Sequence, residues 1–334
     1  MEYITMAHGA GGKSSHELME KVILPELSNP LLDKLHDGAI FAVNKGKMAF
    51  TTDSYVVRPR FFPGGNIGKL AVCGTVNDLA MSGAVPKYLS LGAVIEEGFP
   101  ISELKEILHS IRMAADEAGI AIVTGDTKVV DKGAADGIFI NTAGVGEVIE
   151  GTDISPLNIK PGMKVIVSGY IGDHAATVLG ARHGLSLPDT IKSDCAPLCH
   201  LTKAMLDVCP EIAVLRDPTR GGVAATLNEL AEQSGTGIIL DEEAIPVRDE
   251  VAGVCDILGF DPLYLANEGK LLAIVPSDKA EEIVEVMHTI KYGENACIIG
   301  RVTSEGAGQV GMETAIGGIR LVDMPMGNLV PRIC

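Results

Sequence analysis

The chain has 334 residues, of which 46% are hydrophobic, 21% charged and only 4% aromatic, with no Trp. That length accommodates two domains with aliphatic cores, and a net charge of −17 argues against nucleic acid or an anionic membrane as the main partner. Its seven Cys are odd in number and scattered, which reads as free thiols in a reducing cytosol, and neither a leader-like start nor a membrane-length apolar run is evident, so a cytoplasmic protein is expected.

The first notable stretch is "AHGAGGKSS", where Gly9, Gly11, Gly12 and Lys13 precede a capping pattern of Ser14 and Glu17. Exposed amides, a helix start and a lysine together favour phosphate. A true Walker A loop is disfavoured, because Ala7 stands where its first glycine belongs. A plain turn near the start of the chain is the competing reading.

"GAIFAV" (Gly38–Val43) and "KMAFTTDSY" (Lys47–Tyr55) read as strands joined by an Asn-Lys-Gly turn. A helix is expected from Asn66 to about Met81, then a strand over Pro86–Glu97. "SELKEILHSIRMAADEAG" is the clearest helix: Ser102 can cap it, Leu104, Ile107, Leu108 and Ile111 share a face, and Gly119 can end it. Strands follow at "IAIVTGD" and "GIFINTAGVGEV". Pro, Gly and Asp accumulate over Glu150–Gly162, which places a domain boundary there: 1–150, then 151–304, with a last segment 305–334 rich in Gly and weakly periodic. The second half alternates strand and helix again, through "MKVIVSG", "GDHAATVLGARHG", "IAVLRD", "TRGGVAATLNELAEQSG", "GIILD", "LLAIVP" and "DKAEEIVEVMHTI". The interleaving predicts an α/β (α+β) fold in two domains.

Four acids fall near element ends: Asp53 in "TTDSY", Asp78 beside Asn77 in "TVNDLAMSG", Asp126 near Lys128 in "VTGDTKVV", and Asp217 in "VLRDPTRGG". Singly, each is an ordinary turn or cap residue. Together they offer hard oxygen ligands of the kind Mg²⁺ takes beside nucleotide phosphates. In "LANEGKLLAIV", Glu268 lies between apolar stretches, where burial would raise its pKa and suit it to general-base work, or where it is simply a polar turn. "DCAPLCH" has a Cys-x3-Cys-His spacing but no second ligand pair nearby, so Cys195, Cys199 and His200 read as core or helix start rather than a zinc site. The chain finishes on "PRIC", a thiol on an arm restricted by Pro331 and flanked by Arg332. Such a sulfur is poorly placed for packing and well placed for modification.

"AHGAGGK", "TTDSYVV", "GTVNDLAMSGA", "VTGDTKVV", "SGYIGDHA", "LRDPTRGGVA", "ANEGK" and "PRIC" occur in this order over essentially the whole chain. In this the sequence resembles the HypE family of hydrogenase maturation factors, carbamoyl dehydratases of the aminoimidazole ribonucleotide synthetase and selenophosphate synthetase superfamily. The resemblance implies two α/β domains, the N-terminal one pairing across a homodimer into a β-barrel, and a flexible C-terminal tail. It implies ATP and Mg²⁺, with Gly9, Gly11, Gly12, Lys13, Asp53, Asn77, Asp78 and Asp126 toward the nucleotide and Asp53, Asp78, Asp126 and Asp217 toward the metal. It implies that Cys334 receives a carbamoyl group from the carbamoyltransferase HypF, and that Glu268 and Lys128 assist its ATP-driven dehydration to a thiocyanate. The HypC–HypD complex would then accept the cyanide for the iron of [NiFe]-hydrogenase. Two rivals remain: a kinase or synthetase acting on a free small molecule, and a non-catalytic carrier.

Overall fold

The structure, a computed structural model, describes residues 3–5, 18–29, 46–185, 188, 190–324 and 333–334. The expected strand at Gly38–Val43 and the glycine loop carrying Gly9, Gly11, Gly12 and Lys13 lie outside these residues.

The first half is built on a four-stranded sheet in the order β1-β6-β4-β5, with β1 Met48–Tyr55, β4 Ala84–Glu96, β5 Ala121–Val130 and β6 Ile138–Val148. Strands β4 and β5 are parallel, and the other pairs are antiparallel. A small ribbon of β2 Phe61–Phe62 and β3 Gly65–Asn66 leads into helix α1, Ile67–Met81. Asn66 caps α1 by accepting from the amides of Gly68 (2.9 Å) and Lys69 (3.2 Å). Helix α1 is apolar nearly all round, and it is buried nearly all round: the sheet covers one side, α2 (Ile101–Ala118) another, and the second half of the chain a third. The stripe of Leu104, Ile107, Leu108 and Ile111 on α2 is buried as its spacing predicts, and Gly119 ends the helix at φ 69°. Its cap, however, is Pro100 rather than Ser102: the proline carbonyl accepts from Leu104 N, and Ser102 sits inside the first turn.

Both helices lie on one face of this sheet. Along β1, Ala49, Thr51, Asp53 and Tyr55 turn toward α1, while Met48 (41% exposed) and Phe50 (71% exposed) turn away. Among the described residues, the outer face therefore carries exposed apolar side chains.

The second half holds a seven-stranded sheet in the order β13-β12-β9-β11-β7-β10-β8. Its strands are β7 Lys164–Val167, β8 Val214–Arg216, β9 Gly237–Asp241, β10 Leu272–Val275, β11 Cys297–Thr303, β12 Val310–Glu313 and β13 Ile319–Leu321. Helices α3 Asp173–His183, α4 Cys199–Val208, α5 Gly222–Ser234, α6 Asp249–Leu258 and α7 Ala280–His288 pack around it. Strands β12 and β13 come from the stretch after Glu305, whose periodicity is weak. They are only four and three residues long, too short to show an alternation. Cys195 and Cys199 are buried and α4 starts at Cys199, in line with the reading as core and helix start.

Two cores result. One lies between the large sheet and α5, with Val165, Val167, Leu227 and Ile238. The other runs without interruption from the first sheet through α1 into α3, α4 and α7, joining Leu70, Val76, Leu79, Ala175, Leu198, Met205 and Met287. The two halves share this second core.

Candidate active site

Where α1 ends against the second half, four segments meet. Asp53 comes from β1, Asp78 from the last turn of α1, Asp217 from just beyond β8, and Glu268 from the loop before β10. The inward alternation of β1 puts Thr51 and Asp53 on the same side as α1, and Thr51 Oγ1 donates to Asp78 Oδ2 at 2.9 Å. Burial raises the pKa of Asp78, the Thr51 bond opposes that, and Asp53 adds to the rise. Asp217 is pushed up to about 7, first by burial and then by the like charge of Asp78. Arg216 offsets part of the charge on both carboxyls.

Glu268 is 3% exposed, and its Oε1 has no hydrogen-bond partner among the described residues. Burial drives its pKa well above the ordinary carboxylate range, and Cys195, Asp217, Asp194 and Asp53 push in the same direction. Its backbone is fixed tightly. Glu268 N donates to Asp194 Oδ1 (3.1 Å), and Asn77 Nδ2 donates to the carbonyls of Glu268 (3.3 Å) and Ala196 (3.1 Å). Asn77 Oδ1 accepts from Leu198 N at 2.8 Å. The neighbouring Asn267, fully buried, donates to the carbonyls of Pro218 and Leu265, both at 3.0 Å, and accepts from Gly172 N at 2.7 Å. Asn267 thus ties the Asp217 loop, the start of α3 and the Glu268 loop together.

Glycines allow these loops to touch. A Cβ on Gly269 would fall 1.8 Å from the carbonyl oxygen of Asp194, and one on Gly222 would fall 2.5 Å from those of Leu263 and Leu265. Gly222 also has φ 63°, a conformation costly for other residues.

Cys334 reaches the same place. Its terminal oxygen accepts from Val56 N at 3.1 Å, and the Ile333 side chain is buried in the shared core. The Arg220 guanidinium hydrogen-bonds the thiol, and Glu268 and Asp53 act on it electrostatically. Burial and the charge of Glu268 push the thiol up to about 12 despite Arg220. A chain end expected to be solvated is instead held inside.

Of the sequence candidates, Asp53, Asp78, Asp217, Glu268 and Cys334 are brought together. Asp126 and Lys128 are not. They lie on β5, at the opposite edge of the sheet from β1, and their register with Gly92 and Val94 puts them on the outer face. There the Lys128 ammonium binds Asp126 (2.8 Å to Oδ1), and this contact holds the Asp126 carboxyl below its ordinary range. The expectation that all four acids converge therefore needs correcting within one chain: strand-end position identifies neither the edge nor the face. Asn77 spends its amide on backbone groups. Arg220, His174 and Asn267 belong to the site although sequence reasoning assigned them no role. For Arg220 a signal existed, a cation at a Gly-Gly helix start three residues after Asp217.

No three His, Cys, Asp or Glu side chains among the described residues stand close enough to hold a metal ion by themselves. The carboxyls of Asp78 and Asp217, raised first by burial and then by like charge, nonetheless fit a hard cation whose remaining ligands come from phosphate oxygens. The cost of this crowding is measurable. The folded pKa of Asp217 lies above its ordinary 3.8, so ionising it destabilises the fold: the penalty is absent below pH ~4, grows from there up to about 7, and is constant above that. Asp217→Asn should raise the melting temperature at pH 8 and leave it nearly unchanged at pH 4 in cation-free buffer. An equal effect at both pH values would refute the assignment.

The AIR synthase related protein family matches the chain twice, its N-terminal domain over residues 35–148 and its C-terminal domain over residues 160–313. The carbamoyl dehydratase HypE of Azotobacter vinelandii is 50% identical over 331 residues, covering 99% of this chain and 97% of that protein. A hydrogenase maturation protein HypE solved in complex with ATP superposes with a TM-score of 0.95 at 47% identity, covering 99% of both chains. A chain from a HypE–HypF complex superposes with a TM-score of 0.81 at 47% identity, covering 92% of this chain and 99% of that one.

Proposed function

The chain belongs to the AIR synthase related family and, within it, to the HypE carbamoyl dehydratases, and from that premise we propose that it uses ATP to dehydrate an S-carbamoyl group carried on its own Cys334. The observation that carries this reading is the seat of the terminal thiol, inside the acidic cleft, beside a buried carboxyl and a guanidinium.

An amide oxygen is a very poor leaving group. Transfer of a phosphoryl group to it makes it leave as phosphate, and loss of both N–H protons completes the C≡N bond: carbamoyl plus ATP gives thiocyanate, ADP and phosphate. Phosphoryl transfer depends on positioning and charge neutralisation more than on covalent help. Asp53, Asp78 and Asp217 would hold Mg²⁺, which neutralises phosphate charge when bound. The Gly9, Gly11, Gly12 and Lys13 loop would bind phosphates. Glu268 takes a proton from the carbamoyl nitrogen; once ionised, a carboxylate so poorly solvated is a stronger base than one in water. Asn77 acts by holding the Glu268 loop, although its place in the sequence suggested a nucleotide contact.

Asp126 and Lys128 enter a site only from a second copy. The uncovered outer face of the first sheet, with Phe50 and Met48 exposed, suits closure into a barrel in a homodimer. HypF would load Cys334 while the tail points outward, and HypC–HypD would accept the cyano group. A docked thiol with a pKa of about 12 is un-ionised at neutral pH and a poor nucleophile, so loading belongs to the outward position. A carbamoyl thioester is neutral, and the buried seat accepts it.

The deciding experiment is intact-mass analysis of protein carbamoylated at Cys334. With ATP and Mg²⁺ its mass should fall by one water. An unchanged mass would make the protein a carrier.

A further inference from the structure

The end of the tail is held by a residue that the dehydration chemistry does not use. His174, at the second position of α3, is fully buried. Its Nε2 lies 2.8 Å from the carbonyl oxygen of Ile333, and its Nδ1 lies 2.8 Å from Ser193 Oγ. A carbonyl only accepts, so Nε2 carries the proton and Nδ1 accepts from the Ser193 hydroxyl. That hydroxyl oxygen in turn accepts from Cys195 N at 3.1 Å. The Phe62 ring meets the imidazole edge-on, with centroids 5.4 Å apart, and fixes its plane. With the tail docked, the ring thus has one tautomer and one orientation.

The imidazole bond to Ile333 and the Val56 bond to Cys334 hold consecutive residues of the tail. Together they set the register in which the thiol meets Arg220 and Glu268. While the tail is docked, the Nε2–H···O=C bond to Ile333 is fully shielded from water, so releasing the tail forfeits a buried hydrogen bond. The arrangement therefore favours the docked tail without contributing a group to the reaction.

We propose that His174 is the positioning residue of the dehydration step: it latches the Ile333 carbonyl and thereby seats Cys334, with whatever it carries, against Glu268 and Arg220. This rests on the dehydratase reading above for its catalytic half and on geometry alone for the latch.

The test uses the full chain with His174→Leu and His174→Gln, the second of which keeps an N–H donor. The first readout needs no nucleotide: the rate of Cys334 alkylation by iodoacetamide, compared with that of Cys297, which is also only partly buried. In His174→Leu the Cys334-to-Cys297 ratio should rise about tenfold or more, the equivalent of one lost buried hydrogen bond. The second readout separates the two half-reactions. Dehydration should slow by a similar factor while carbamoylation by HypF is not slowed, and His174→Gln should recover much of both effects. An unchanged ratio, or Cys297 accelerating in step with Cys334, refutes the latch. A Gln variant as impaired as the Leu variant refutes the hydrogen bond as its basis. If the Leu variant does not fold, Ser193→Ala, which releases the other ring nitrogen, should shift the same ratio in the same direction, and no shift overturns the proposal. Failure of the unsubstituted chain to dehydrate refutes the dehydratase reading and the catalytic half with it, whatever the alkylation ratio shows.

Discussion

Glu268→Gln should leave carbamoylation of Cys334 intact and slow the ATP-driven loss of water by about 10²–10⁴-fold, the usual worth of a positioned general base. Three features support that magnitude. The carboxyl is nearly inaccessible, its Oε1 is unpaired among the described residues, and its backbone is pinned by Asp194 and Asn77. Glutamine has the same shape, so packing should survive and the lost rate reports proton transfer. The pH dependence follows in sign. Glu268 must be ionised to accept a proton, and its pKa is raised by burial and by neighbouring acids. Dehydration should therefore rise with pH along a limb centred well above the ordinary 4.5 of a glutamate, and fall as the medium is acidified through that limb. Single-turnover mass measurements across pH resolve it. A Gln variant with full turnover would remove Glu268 from the chemistry.

Cys334→Ala is expected to abolish the activity outright. The variant should gain no carbamoyl mass from HypF and furnish no cyanide, while its melting temperature stays within a few degrees, because only one partly buried terminal side chain is lost. A thiol that alternates between docked and outward positions, as proposed above, would differ in reactivity between them. With a pKa of about 12 in the docked position, only ~10⁻⁵ of it is thiolate at pH 7, against roughly a few per cent for a solvated cysteine. Carbamoylation of the unsubstituted chain should accordingly track the fraction of time the tail spends outside. A Cys334→Ala protein that still supplied cyanide would show that the substrate is free rather than tethered.

Much of the fold could be read locally. Helix α1 announces itself by Asn66 and an unbroken apolar run, α2 by its stripe and Gly119, and β9 by its short aliphatic run. What could not be read was nonlocal. Strand-end acids look alike in sequence, yet β1 and β5 lie at opposite edges of their sheet, so Asp53 joins the cleft and Asp126 does not. Asn77 and Asp78 are adjacent, but the helix turns one inward to the Glu268 loop and the other toward Thr51. His174 carried no local signal, because its partners, Ser193 and Ile333, are brought to it only by the completed fold.

The core shared by both halves has a consequence for timing. Helix α1 is packed into both lobes at once, so swinging the jaws of the cleft apart would break a continuous apolar core. In many enzymes the machine closes on its cargo. On the dehydratase reading proposed above, such a cleft would stand still as an anvil and the cargo would do the travelling, so the tempo of each cycle would follow how often the tethered end comes home.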